Sequence, residues 1–406
     1  MSLNAVNDPS SLGFDAGRLA RIDRWMQRYV DERKFPGSSL LIARNGEIAH
    51  LAKAGRRSIE QDLPFELDTI VRIYSMTKPV TTVAVMMLVE QGHFHLDAPI
   101  SAFLPEFSDC SALIKGAPAI DQLESAPSPT IHQLLTHTSG LSYDFNTGVL
   151  AEAYTQHGLA YSPGSGGLDK WVKQIAAMPL AFQPGSSWEY SVGIDVIGRL
   201  IEVVTGKPLD EFIGTEILEP LGMTDTAFSV ADNGLDRFAS CYTPVEGNPL
   251  RLLDEAATSE FRVGSVSTIG GGGGLVSTLA DYFRFAEMLR LGGELEGQRL
   301  LSPRTVAFMR RNHLPGDIAS MGPKSFAEVS MEGVGFGLGG AVVLDPAKMH
   351  TAGSVGDFSW GGLASTIFWT DPVEQLTVVF FTQLVPSSTY PNRAELKALV
   401  HAALTG

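Results

Sequence analysis

Ile73-Tyr74-Ser75-Met76-Thr77-Lys78-Pro79 opens a run that continues through Val80, Val83, Ala84, Met87 and Leu88 to Gly92. The apolar residues recur at helical spacing and the glycine stands where a left-handed residue closes a helix, so the pattern predicts a helix over 75–91. Pro79 fits near its start, where the first N–H groups lack intrahelical acceptors and a missing donor costs little. Ser75 then lies at the helix N-terminus, where free N–H groups and the positive end of the helix dipole stabilise developing negative charge. Lys78, three residues on, shares its face and can bring its amine to the hydroxyl. A serine needs a base to become a nucleophile, and lysine is a base only when neutral, which burial favours and solvent opposes.

The Ser-x-x-Lys spacing is expected by chance about once in a chain of this length. It is equally compatible with a capping serine beside a surface lysine. The apolar neighbours Met76, Pro79 and Val80 are unlike a solvated face and favour a nucleophile and its base.

Outward from this helix, residues 14–33 read as an amphipathic helix with Leu19, Ile22, Trp25, Met26 and Tyr29 on one side. Asn45-Gly46 between two short apolar runs, 39–43 and 48–51, signals a tight hairpin. A second hairpin is expected near the other end, from Leu363–Trp369 and Leu376–Phe381 across the turn 371–375, followed by a closing helix over 393–403. Hairpins from both chain ends are expected to share one sheet, with the terminal helices covering it. Between them lie helical stretches at 131–136, 168–178, 192–205 and 209–218, separated by Pro/Gly/Ser loops. Gly270 to Gly274 precede a helix from about Leu279 to Arg290, but no Gly-Lys-[Ser/Thr] follows, so a hinge or tight backbone crossing is expected there instead of a phosphate cradle.

Composition narrows the function classes. A net charge of −15, with no Lys/Arg block, excludes the basic face that a nucleic-acid partner requires. The two cysteines, Cys110 and Cys241, stand far apart without a Cys/His cluster, so free buried thiols are expected and neither a disulfide framework nor a metal site is. No apolar run approaches the roughly 20 residues that span a bilayer. Met1-Ser2-Leu3-Asn4-Ala5 shows no basic stretch leading into an apolar one, so the expected location is the cytoplasm, although a processed leader is compatible with that start. No serine satisfies the Gly-x-Ser-x-Gly elbow, and His137 is expected to bond its loop instead of acting as a base.

The segments Ile73 to Pro79, Gln91-Gly92, Leu96 to Ile100, Leu134 to Leu141, Phe182 to Gly185, Tyr190-Ser191 and Gly272 to Ser277 occur in an order that resembles the serine β-lactamase-like superfamily. Within it the chain looks most like the family VIII carboxylesterases. The resemblance implies an α/β (α+β) fold of the β-lactamase/transpeptidase type: an antiparallel sheet flanked by helices, built from residues 1–95 and 270–406, with a mainly helical domain, 96–269, inserted. It assigns Ser75 as nucleophile, Lys78 as its base and Tyr190 as proton shuttle. The Tyr-x-Asn of class C β-lactamases is here Tyr190-Ser191-Val192, and the literal Tyr390-Pro391-Asn392 is a decoy. Lys-Thr-Gly is replaced by Trp360-Gly361-Gly362, with His350 to Gly353 as an alternative placement. The resemblance then gives the Ser75 and Leu363 N–H groups as the oxyanion hole.

Trp360, Gly361, Gly362, Tyr143 and Phe145 are expected to line the substrate site. No cofactor or metal is implied. The expected partner is a small ester, hydrolysed through an acyl-enzyme. A β-lactamase or D-amino-acid peptidase, an acyltransferase and a non-catalytic binding protein of the same fold stand as alternatives.

Overall fold

The computed structural model describes residues 3–246 and 250–405; Met1 and Ser2, read above for a leader, lie outside the described residues. Eight strands form one antiparallel sheet in the order Val334–Phe336, Ala341–Val343, Phe358–Gly361, Ile367–Asp371, Leu376–Thr382, Gly37–Arg44, Glu47–Ser58 and Leu63–Pro64. The two expected hairpins meet at its centre, where Leu40 pairs with Phe380 and Ile42 with Val378. Asn45 and Gly46 both take positive φ, 56° and 85°, as a two-residue turn demands.

Alternation along the central strands sends two sets of side chains to two cores. Leu40, Ile42, Val378 and Phe380 pack under α1 (Ala16–Asp31) and the C-terminal helix Asn392–Ala403. Leu41, Ala43, Val379 and Phe381 face the larger core. Helices α2 (Thr77–Glu90), α3 (Ile131–Leu135), α4 (Val149–Gln156), α5 (Leu168–Ala176), α6 (Gly193–Thr205), α7 (Leu209–Ile213) and α8 (Leu279–Arg290) all contribute to that core. Apolar packing therefore runs without a break from the sheet into the middle of the chain. Middle residues also form short two-stranded pairs, Ser111–Leu113 with Leu123–Ser125 and Cys241–Thr243 with Arg251–Asp254.

Three local expectations are corrected. Residues 75–91 are not a one-faced helix: a 3-10 turn, Tyr74–Met76, leads into α2, and Thr77 to Met86 are buried on every side. Leu363 does not begin a strand, because Gly362 to Ser365 form a turn closed by the Ser365 N–H on Gly362 O at 3.1 Å, with Ser365 at φ 66°. Cys241 is a buried free thiol as expected, whereas Cys110 is only half-buried.

The five glycines make a close crossing. A Cβ on Gly271 would lie 2.9 Å from Ile194 O, and one on Gly272 only 2.3 Å from Asp195 Oδ2. The 270–274 backbone thus lies directly against α6, which places its carbonyls over the start of α2.

Candidate active site

The Ser75 turn is anchored on both sides. Ile73 N–H donates to Leu275 O at 3.1 Å, and the Tyr282 hydroxyl donates to Met76 O at 2.8 Å. Tyr74, immediately before the serine, takes φ 43°, a conformation side-chain-bearing residues avoid and one that clusters at functional sites. The first hydrogen bond of the turn runs from Met76 N–H to Ile73 O at 3.0 Å, so the Ser75 N–H precedes any intrahelical acceptor.

Lys78 is fully buried, with three polar neighbours around its amine. Nζ donates to Gly272 O at 2.7 Å and to the Tyr143 hydroxyl at 2.9 Å, and it lies 3.3 Å from Ser75 Oγ. The Tyr190 hydroxyl donates to Ser75 Oγ at 2.7 Å, and its ring lies 4.6 Å beneath Lys78 Nζ. The three residues singled out in the sequence thus converge on one oxygen atom.

Tyr190 is held from several directions. Asn146 Nδ2 donates to its carbonyl at 2.7 Å, and the buried His137 ring lies edge-on at 4.7 Å. His137 Nδ1 accepts from the Ser191 N–H at 3.2 Å, which fits the loop-bonding role expected of it. Burial, and to a smaller extent Lys78, hold this imidazole well below its usual value, so it is neutral. Tyr390 lies elsewhere, packed on Tyr29 and Phe35 in the outer core. His350 is exposed at a short helix end, outside the sheet, so Phe358–Gly361 is the strand at the site.

Trp360 is buried and does more than line a wall: its indole N–H donates to the Tyr190 hydroxyl at 3.3 Å. Gly361 and Gly362 permit close approach. A Cβ at Gly362 would lie 2.3 Å from Ile73 O, so the strand end runs against the Ser75 turn. The Leu363 N–H, just beyond, has no acceptor among the described residues. Phe145, 55% exposed, stacks on Tyr143 with centroids 4.7 Å apart.

Ser75, Tyr143, Phe145, Tyr190, Trp360 and Leu363 all line one cavity of about 540 Å³. The described residues contain no His/Cys/Asp/Glu cluster suited to a metal and no helix long and apolar enough to cross a membrane.

Two participants went unread in the sequence. Tyr143 was placed against the substrate, yet its hydroxyl also accepts from Lys78. Behind it, Asp195 accepts from Gly272 N–H at 2.8 Å. Burial raises the Asp195 carboxyl, while Lys78, Gly272 and Tyr143 counter that rise. An acid at the first turn of a predicted helix, amid Ile194, Val196 and Ile197, was the available signal.

A family profile described as Beta-lactamase matches residues 22–402. Esterase EstB of Burkholderia gladioli is 34% identical over 392 residues, covering 92% of this chain and 93% of that protein. An uncharacterized protein of Mycobacterium tuberculosis is 36% identical over 367 residues, 89% of each chain. Among solved structures, EstCE1, titled a hydrolase with promiscuous acyltransferase activity, superposes with TM-score 0.77 at 28% identity over 98% of this chain and 99% of its own. Unliganded simvastatin synthase (LovD) of Aspergillus terreus gives TM-score 0.80 at 25% identity over 96% and 98%.

Proposed function

The chain belongs to the beta-lactamase family, and from that premise we propose that it cleaves carboxylic esters through an acyl-enzyme on Ser75. At the coarser level it is an esterase- or acyltransferase-like serine hydrolase of the β-lactamase fold. The observation that carries the finer reading is the convergence of the Tyr190 hydroxyl at 2.7 Å and Lys78 Nζ at 3.3 Å on Ser75 Oγ.

In this mechanism Lys78 works as the neutral amine: its two N–H groups stay on Gly272 O and the Tyr143 hydroxyl, and its lone pair takes the Ser75 proton as Oγ attacks the ester carbonyl. Charge gathering on the carbonyl oxygen is met by the Ser75 and Leu363 N–H groups. The proton returns through Tyr190 to the departing alcohol, and water, activated by Lys78 and Tyr190, releases the acid. Gly272 O and the Tyr143 hydroxyl hold the lysine amine in line, and Asp195 supports Gly272 from behind. Trp360 makes apolar the wall where Lys-Thr-Gly would bring a cation, which supports esters over β-lactams.

Acyl transfer to an alcohol other than water is the second reading, supported by the acyltransferase activity named for EstCE1. Wild type and Ser75→Ala, incubated with short-chain p-nitrophenyl esters and a chromogenic cephalosporin, separate these readings by turnover and intact mass. The expected result is ester turnover and a Ser75-dependent acyl adduct, with little cephalosporin turnover. No adduct and no turnover in wild type would overturn the reading. Product partitioning toward an added alcohol would favour the transferase.

A further inference from the structure

The cavity wall also includes Arg393, from the C-terminal helix. Its Nη2 donates to Gly362 O at 2.9 Å and to Thr366 O at 3.3 Å, which fixes the guanidinium beside the strand end that carries Leu363. Its Nε has no hydrogen-bond partner among the described residues. Nη1 faces Glu328 Oε1 at 3.8 Å, too long for a hydrogen bond. Both Glu328 oxygens are likewise unbonded, although that side chain is only 9% exposed. Buried charged groups are ordinarily hydrogen-bonded to their partners, so a pair that faces without closing is unusual.

The backbone around Glu328 is unusual too. Ala327 at φ 44° and Glu328 at φ 61° are the two central residues of the turn joining Ser325–Phe326 to Val329–Ser330. Such turns favour Asn-Gly because both positions need positive φ, and two residues with side chains are strained there. The flanking Phe326 and Val329 line the cavity, so this strained turn buries a carboxyl directly behind the substrate wall. Neither Glu328 nor Arg393 is used by the mechanism above.

We propose that Glu328 is a specificity-determining residue that acts through Arg393. With its carboxyl neutral, the guanidinium presents an uncompensated positive charge to the cavity and favours esters that carry a carboxylate. With its carboxyl ionised, that preference is cancelled. The proposal rests on the esterase reading and names a substrate class for it.

Burial pushes the Glu328 carboxyl up to about 8, against the opposing pull of Arg393. Arg393 is in turn disfavoured by its burial and supported by Glu328 and by Tyr190. Lys397, one turn along the same helix, is already paired with Asp357 at 2.7 Å. Proton binding at Glu328 and carboxylate binding at Arg393 therefore reinforce each other. The preference is present below this range and lost as pH rises through about 8.

The test compares kcat/KM for the p-nitrophenyl monoester of adipic acid and for its methyl-capped, neutral counterpart. Both share the Ser75 chemistry, so their ratio removes the pH dependence of acylation. In wild type the ratio of anionic to neutral ester is expected to fall about tenfold between about pH 6.5 and about pH 9.5, the effect of roughly one pKa unit of coupling. In Glu328→Gln it is expected to stay high at both ends. A ratio flat with pH in wild type, or an unchanged fall in Glu328→Gln, would overturn the proposal. The wild-type series decides the matter even if the variant does not fold. Turnover with a flat ratio defeats only this proposal, whereas turnover of neither ester defeats the esterase reading and this proposal with it.

Discussion

The Trp360 indole N–H donates at 3.3 Å to the Tyr190 hydroxyl, which itself donates to Ser75 Oγ. Where Lys-Thr-Gly is missing, a neutral donor thus still addresses the proton-transfer group. Trp360→Phe keeps a ring against Phe326 and Phe336 but removes the donor. Ester kcat/KM is expected to fall roughly tenfold, the worth of one hydrogen bond of about 1–1.5 kcal/mol, with little change in Tm. Steady-state kinetics beside a thermal melt checks this.

Ser75→Ala, Lys78→Met and Tyr190→Phe are each expected to reduce kcat by about 10³ or more, because each interrupts the same proton path. For that reason the double variant Lys78→Met/Tyr190→Phe should cost scarcely more than either single change. Additive losses on p-nitrophenyl butyrate would show that the two residues act independently.

Tyr143→Phe removes the acceptor that the Lys78 amine has in the Tyr143 hydroxyl. The expected loss is about ten- to a hundredfold in kcat, since the amine is held less firmly in line with Ser75. Activity equal to wild type would make Tyr143 a wall residue only.

Gly272→Ala tests the close crossing. The new methyl would lie 2.3 Å from Asp195 Oδ2, so either α6 or the 270–274 backbone must shift. A destabilisation of about 1–3 kcal/mol is expected, as for other overpacked sites, together with a fall in kcat because Gly272 O holds Lys78. Urea unfolding and turnover read the two effects separately.

Asp371 supplies a pH-dependent term. Burial alone would raise its carboxyl, but the His401 ring 3.6 Å away and the N–H groups of Glu374 and Val373, which donate to Oδ1, hold it at about 2. A carboxyl depressed in the fold adds stability above its unfolded value of 3.8, and that stability is lost as pH falls through about 2. Asp371→Asn should therefore cost about 1–2 kcal/mol at neutral pH and almost nothing near the acid limit. Unfolding curves for both proteins across that range check it.

Much of this was legible in the sequence. Short apolar, β-branched runs and Asn45-Gly46 pointed to the central hairpins, because local turn chemistry and strand composition agree there. Ser75, Lys78 and Tyr190, which the fold brings together, were singled out through their motif context. What escaped shares one property: it depends on contacts between segments distant in sequence. The Tyr143–Lys78 bond spans 65 positions and the Gly272–Asp195 bond 77. No periodicity encodes such pairings. The one-sided reading of α2 failed for the same reason, since its polar-looking threonines, Thr77, Thr81 and Thr82, are all buried. Thr81 and Thr82 find backbone acceptors in Gly271 O and Lys78 O, partners that a helical wheel does not display.

The enclosure of α2 on every side has a consequence for how this protein fails. Amide protons in the buried stretch from Thr77 to Met86 reach water only when the surrounding elements separate, so they are expected to exchange with deuterium at the rate of global opening. Ser75 and Lys78 stand at the start of that helix. The reactive pair therefore cannot fray locally, and heat or denaturant should extinguish turnover and the slowest-exchanging amides in one cooperative step.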